Sequence, residues 1–153
     1  MELTSSAFAN NEEIPLAYTC EGEDRSPPLS WSGVPEAVKT LALVMDDPDA
    51  PNGTFTHWVL YNLPPQPPNL EEGVSLSERL LEGLREGFNS FGNQGYGGPC
   101  PPRGSGEHRY FFRLYAINQE LVFTGRVTRD QLMGAIEGIT LDQAELMGRF
   151  ARV

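Results

Sequence analysis

The sequence predicts one mainly β domain spanning residues 1–153. Three observations point there. Gly (16) and Pro (13) are abundant, which suits short strands joined by many turns better than a helix bundle. Strand-like runs, either alternating or apolar throughout, recur along the chain. A chain of 153 residues has the length of one domain and can bury about two-thirds of its unfolded surface, so its core needs no disulfide or metal.

Weak strand signals lie at Leu3–Phe8, Leu29–Trp31 and Leu121–Phe123. Thr40–Asp46 is apolar almost throughout, which predicts a strand covered on both faces. Thr56–Leu63 (THWVLYNL) is rich in aromatic and β-branched residues. The stretch Pro64-Pro65-Gln66-Pro67-Pro68 is a stiff connection. Arg109–Ile117 is the clearest strand: Tyr110, Phe112, Leu114 and Ala116 share one face, and Phe111, Arg113 and Tyr115 the other. Ser77 reads as the cap of a helix carrying Leu80, Leu81 and Leu84 on one side. Thr128 with Gln131, and Thr140 with Gln143, have capping-box spacing and predict helices over Arg129–Glu137 and Leu141–Met147. Gly148 would end the second, and Arg149–Arg152 would add a short final strand.

The charge balance is 11 Lys+Arg against 21 Asp+Glu, a net of −10. That field repels phosphate backbones and anionic lipid surfaces, so nucleic-acid binding and strong membrane docking are disfavoured. The longest apolar run, Leu41–Met45, falls far short of the ~20 residues of a spanning helix. The start, MELTSSAFANNEEIP, has neither a basic nor an apolar leader segment, which predicts a cytoplasmic chain. In that compartment Cys20 and Cys100 are expected to be thiols rather than a disulfide.

The two histidines, His57 and His108, both sit at strands beside unusual sequence. Asp46, Asp47 and Asp49 precede the first, and Pro48 and Pro51 hold that run out of a helix. The Gly/Pro-rich segment Gly87–Gly106 leads directly into His108, and a loop of that length is usually functional. His108 and Tyr110, two residues apart, share a strand face. Asp, two His and Tyr converging on this loop would make a small polar pocket. Against this stand plainer roles: a structural histidine, a turn built by the acids, a packed tyrosine. Asp46 is the acid best suited to a structural or solvated role. Gly104-Ser105-Gly106 is no nucleophile elbow, because Arg103 and Glu107 stand where glycines are needed. The glycines match neither a Walker loop nor a dinucleotide fingerprint, HExxH is absent, and Cys100, between prolines, reads as a packing thiol. No metal site and no cofactor is expected.

Several runs resemble the phosphatidylethanolamine-binding proteins, also called Raf kinase inhibitor-like proteins, in their compact bacterial or archaeal form. They are Tyr18-Thr19-Cys20-Glu21-Gly22, Ser26-Pro27-Pro28-Leu29-Ser30-Trp31, Asp47-Pro48-Asp49-Ala50-Pro51, His57-Trp58-Val59-Leu60 and Gly95–Pro102 leading to Gly106–Tyr110. They follow the family's order over nearly the whole chain. The resemblance implies an antiparallel β-sandwich with a few short peripheral helices and a small pocket for phosphate-like groups, phosphoethanolamine head groups among them. Carried over residue by residue, the pocket would use Asp47, Asp49, His57, Pro102, His108 and Tyr110. All but Pro102 are also marked by the residue pattern itself. The chain stops at Val153, short of the C-terminal helical tail of mammalian members, so kinase inhibition is not transferred with the motifs. The expected function is non-enzymatic binding of a small phosphorylated or carboxylated anion. The alternatives are a module whose pocket rim docks a kinase or protease, and a hydrolase using the His/Asp pocket. A homodimer is compatible with the aromatic strands.

Overall fold

The apolar run beginning at Thr40 becomes a central strand because both of its faces are covered. The computed structural model describes residues 1–74 and 83–153. Its strands are β1 (Glu2–Thr4), β2 (Glu12–Glu13), β3 (Leu29–Ser32), β4 (Thr40–Asp47), β5 (Phe55–Leu63), β6 (Asn69–Leu70), β7 (Arg85–Glu86), β8 (His108–Ile117) and β9 (Thr140–Phe150), with helix α1 (Arg129–Ile136) before the last. β2, β9, β8, β4, β5 and β7 form a six-stranded sheet in that order, and β1, β3 and β6 a three-stranded one. Pairing is antiparallel except between β2 and β9, which run parallel. The mainly β expectation holds, with that one parallel edge.

Alternation sorts the side chains. Leu41, Leu43 and Met45 point toward the small sheet and pack with Leu3, Trp31, Trp58 and Phe112. Ala42 and Val44 point the other way, into a second cluster with Val59, Tyr115, Leu132 and Ile136. Each Leu, Ile, Val, Met or Phe side chain among them, once fully buried, contributes about 1.5–3 kcal/mol. The strand therefore tolerates no polar residue until its exit at Asp46 and Asp47. Helix α1 begins where the capping spacing put it, with the Thr128 N–H donating to Gln131 Oε1 at 2.7 Å. It packs Leu132 and Ile136 onto the outer face of the large sheet. Among the described residues, no helix is long and apolar enough to cross a membrane.

Several expectations are corrected. The helix predicted over Leu141–Met147 is the long strand β9. Its residues pair one by one with β8, and Leu146, Gly148 and Phe150 alternate into the core. A neighbouring strand edge outweighs a local capping signal, and Thr140 instead donates its hydroxyl to the Ile136 carbonyl. The final strand expected at Arg149–Arg152 is only the end of β9. Leu121–Phe123 forms no strand, because Asn62 provides the pairing. Its Oδ1 accepts the Leu121 N–H and its Nδ2 donates to the Leu121 carbonyl, both at 2.8 Å. The first strand is shorter than Leu3–Phe8. Of the helix expected after Ser77, Ser77, Leu80 and Leu81 lie outside the described residues, and Leu84 is buried in the main core.

Candidate functional site

β4 runs antiparallel to both β5 and β8, so its exit lies beside the entry of each. Three segments far apart in sequence therefore meet at one end of the sheet. Asp47 closes β4, His57 lies early in β5, and His108 and Tyr110 open β8. All four are at least nine-tenths buried.

His57 owes its direction to an irregularity in the pairing. Met45 pairs with Trp58 and Asp46 with Thr56, which leaves His57 as an extra residue in β5. Such a bulge re-aims a side chain. Here Trp58 stays in the core, Thr56 turns to the other face and bonds Asp46, and His57 enters a hollow with Tyr110. The His57 ring lies 4.9 Å from that of Phe55, 5.6 Å from Phe91 and 5.3 Å from Tyr110. Its Nδ1 donates to the Gly97 carbonyl at 2.6 Å. Burial lowers the pKa of this ring, outweighing the Gly97 carbonyl and the nearby carboxylates of Asp47, Asp46 and Asp24. The charged form of the ring is thus disfavoured in the free protein.

His108 is held at both nitrogens. Nδ1 faces Asp47 Oδ2 at 2.7 Å, and Nε2 faces Ser105 Oγ at 3.1 Å. The Asp47 carboxylate orients this ring. Tyr110 lies alongside, its ring 6.5 Å from that of His108 and nearly parallel to it. The Tyr110 hydroxyl is buried and has no hydrogen-bond partner among the described residues. Burial, then the charges of Asp47 and Asp49, raise its pKa far above the ordinary tyrosine value, so it remains a donor.

The hollow has a volume of about 500 Å³ and is bounded by Asp47, His57, Pro102, His108 and Tyr110, with Phe55 and Phe91 on the aromatic side. Five of the six predicted residues thus surround one space. Asp49 does not line it. Both its oxygens are taken by the Arg109 side chain at 2.9 Å, and one also accepts the Arg109 N–H. Arg109 draws the Asp49 carboxyl down to about 2. Asp46 is structural, paired with Arg129 at 2.8 Å on the opposite face.

The two cysteines are not thiols. Cys20 and Cys100 form a disulfide between residues 80 apart in sequence, with Cα atoms 5.4 Å apart. The thiol expectation rested on compartment and on the prolines beside Cys100. Loop packing decides otherwise: the Gly/Pro-rich segment lies against residues 18–24. Cys20 N–H donates to Pro99 O at 3.1 Å, Gly98 N–H to Asp24 Oδ1 at 2.9 Å, and the Tyr96 hydroxyl to Tyr18 O at 2.7 Å. Gly98 permits this approach, since a Cβ there would collide with Asp24 and the Tyr18 carbonyl. Cys100 itself lines the hollow, so the crosslink braces its wall.

Sequence reasoning missed Phe55, Phe91 and Ser105. Ser105 was weighed only against a nucleophile elbow, although its place three residues before His108 was a usable signal. Nothing in one sequence separates a phenylalanine of the core from one at the rim of a hollow.

A family model described as phosphatidylethanolamine-binding protein matches residues 4–151. The chain belongs to the phosphatidylethanolamine-binding protein family. It is 49% identical over 152 residues to the UPF0098 protein of Methanothermobacter thermautotrophicus, with 99% of each chain covered. Its fold is similar to that of the phosphatidylethanolamine-binding protein homologue CT736 of Chlamydia trachomatis. That match has a TM-score of 0.90 and 40% identity, and covers 99% of this chain and 97% of that one. E. coli YbcL, described as a member of the mammalian family, matches with a TM-score of 0.90 and 29% identity, covering 99% of this chain and 98% of its own. Membership in the phosphatidylethanolamine-binding protein family supports a binding-protein kind of function.

Proposed function

We propose that the protein binds a small phosphorylated or carboxylated anion in the hollow between His57, His108 and Tyr110. One observation carries this reading: Tyr110 lines the hollow, and its buried hydroxyl has no hydrogen-bond partner among the described residues. Leaving such a group unpaired costs about 1–3 kcal/mol, which a ligand oxygen would recover. His57 supports the reading, because its Nδ1 is committed to Gly97 and its Nε2 is left for a ligand. A hydrogen bond to a charged acceptor is about twice as strong as a neutral one, so the Tyr110 hydroxyl and a protonated His57 Nε2 suffice for recognition. Phosphoethanolamine combines such an anion with a small organic tail that suits the aromatic side. Cytoplasmic residence belongs to the same proposal, because free phosphoanions are met there.

Calorimetric titration with inorganic phosphate and with phosphoethanolamine tests the reading. Saturable heat is expected from the wild-type chain, weakened in Tyr110→Phe and in His57→Gln. Equal heats in all three proteins would overturn it. A second reading, docking of a protein such as a kinase at the rim, has one observation behind it: Phe91 is 47% exposed at the mouth of the hollow. Stoichiometric capture of a kinase that Phe91→Ala abolishes and Tyr110→Phe leaves intact would favour that reading.

A further inference from the structure

We propose that Ser105, His108 and Asp47 form a nucleophilic relay able to cleave short-chain carboxylic esters at the edge of the hollow. This goes beyond anion binding and does not depend on it. Ser105 Oγ lies 3.1 Å from His108 Nε2, and His108 Nδ1 lies 2.7 Å from Asp47 Oδ2. That is the order of contacts that activates a serine: hydroxyl on one ring nitrogen, carboxylate on the other. The carboxylate is fixed in turn, since Asp47 Oδ1 accepts the Asp49 N–H at 2.7 Å. The His108 and Asp47 side chains are 5% and 4% exposed, whereas Ser105 is open to solvent. A buried base beside a reachable hydroxyl is what the chemistry needs. Such relays are defined by geometry rather than chain order, which is why the failed elbow motif does not exclude this one.

The serine proton has two acceptors. Ser105 Oγ also lies 2.7 Å from the Pro102 carbonyl oxygen, which can only accept. When His108 is neutral with its proton on Nδ1, Nε2 offers a lone pair to the same hydroxyl. Pro102 is the resting acceptor and His108 the reactive one. The N–H of Gly106, the residue after the nucleophile, has no acceptor among the described residues, and oxyanion donors commonly come from that position.

The step balances with water as the only co-reactant. Oγ forms a bond to the ester carbonyl carbon while its proton passes to His108 Nε2. The tetrahedral adduct expels the alcohol, which takes that proton as its C–O bond breaks. Water then attacks the acyl group and gives its proton to Nε2, and Oγ recovers the proton as the acid leaves.

Two measurements test it: intact-mass and peptide mapping after exposure to a fluorophosphonate, and turnover of p-nitrophenyl acetate. One adduct on Ser105 is expected, with turnover falling about 10²-fold or more in Ser105→Ala. A wild-type chain without an adduct on Ser105, or a Ser105→Ala variant with wild-type turnover, would overturn the proposal and leave Ser105 as a latch for His108. Labelling uses the unaltered chain, so a misfolded variant cannot blur the result. The fluorophosphonate adduct and the phosphate titration are each read on the unaltered chain, so failure of the relay and failure of anion binding are told apart.

Discussion

Nδ1 of His57 lies 2.6 Å from the carbonyl oxygen of Gly97. A carbonyl oxygen accepts and never donates, so Nδ1 carries a proton and Nε2 of the neutral ring carries only a lone pair. A bound anion needs the opposite, a proton on Nε2.

Anion affinity should therefore fall as pH rises. The free ring has a pKa below its ordinary value, and an anion beside it raises that value in the complex. The complex then holds a proton that the free protein releases, so lower pH favours binding until the carboxylates protonate. Sulfate, which keeps its charge across this range, isolates the effect from titration of the ligand. Calorimetry in buffers of different ionisation heat should show uptake of up to about one proton. Binding without proton uptake at any pH would contradict the His57 role. The sign for stability of the unliganded chain also follows. A depressed histidine pKa gives stability that is present above the unfolded value of about 6.5 and lost as pH falls through the folded one.

Tyr110→Phe should separate binding from folding. The hydroxyl makes no hydrogen bond among the described residues, so its removal should leave Tm unchanged or raise it. Phosphate affinity should fall by about tenfold to a hundredfold, the equivalent of one charge-assisted hydrogen bond of about 1.5–3 kcal/mol. A lower Tm with unchanged affinity would assign the hydroxyl to the fold.

Replacing both cysteines by serine should destabilise the chain. The crosslink joins residues 80 apart, and closing a loop of that length is worth about 4–5 kcal/mol in the chain-entropy account. The urea midpoint should drop, and so should anion affinity, because Cys100 is part of the wall of the hollow. Superimposable urea curves with and without reductant would show that the bridge carries no stability.

Asp49→Asn should lower stability at neutral pH, flatten its loss in acid and leave anion binding intact. Arg109 depresses the Asp49 carboxyl to about 2, so its stabilisation is complete above the unfolded value of about 3.9 and is lost as pH falls toward the folded one. Wild type and variant should differ at neutral pH and converge near the bottom of that window. The pair is substantially exposed, so the difference should be modest and shrink with salt. Loss of anion binding in Asp49→Asn with an unchanged acid limb would move this residue into the site.

The architecture was legible where hydrophobic patterning was strong. Thr40–Asp46 and Arg109–Ile117 announced strands because one is covered on two faces and the other alternates. The region after Thr140 misled because a capping signal is local, whereas the edge of β8 that captures β9 is not. The disulfide was hidden for a related reason: nothing near Cys20 points to Cys100 until the glycine-rich segment folds onto residues 18–24. In the candidate site, strand ends and motif order brought Asp47, His57, His108 and Tyr110 into view together. The commitment of Asp49 to Arg109 was not visible, because a salt bridge across 60 positions leaves no trace in spacing.

The extra residue at His57 makes shape and chemistry separable. Deleting the position between Thr56 and Trp58 would remove this one of the two irregularities in the ladder to β4 and spare the hydrophobic layers, yet it would withdraw an imidazole from the cavity. Two chains could then superimpose almost perfectly while only one retained a receptor. Within this architecture, a single insertion in the strand ladder tells more about what a protein can hold than the likeness of the whole.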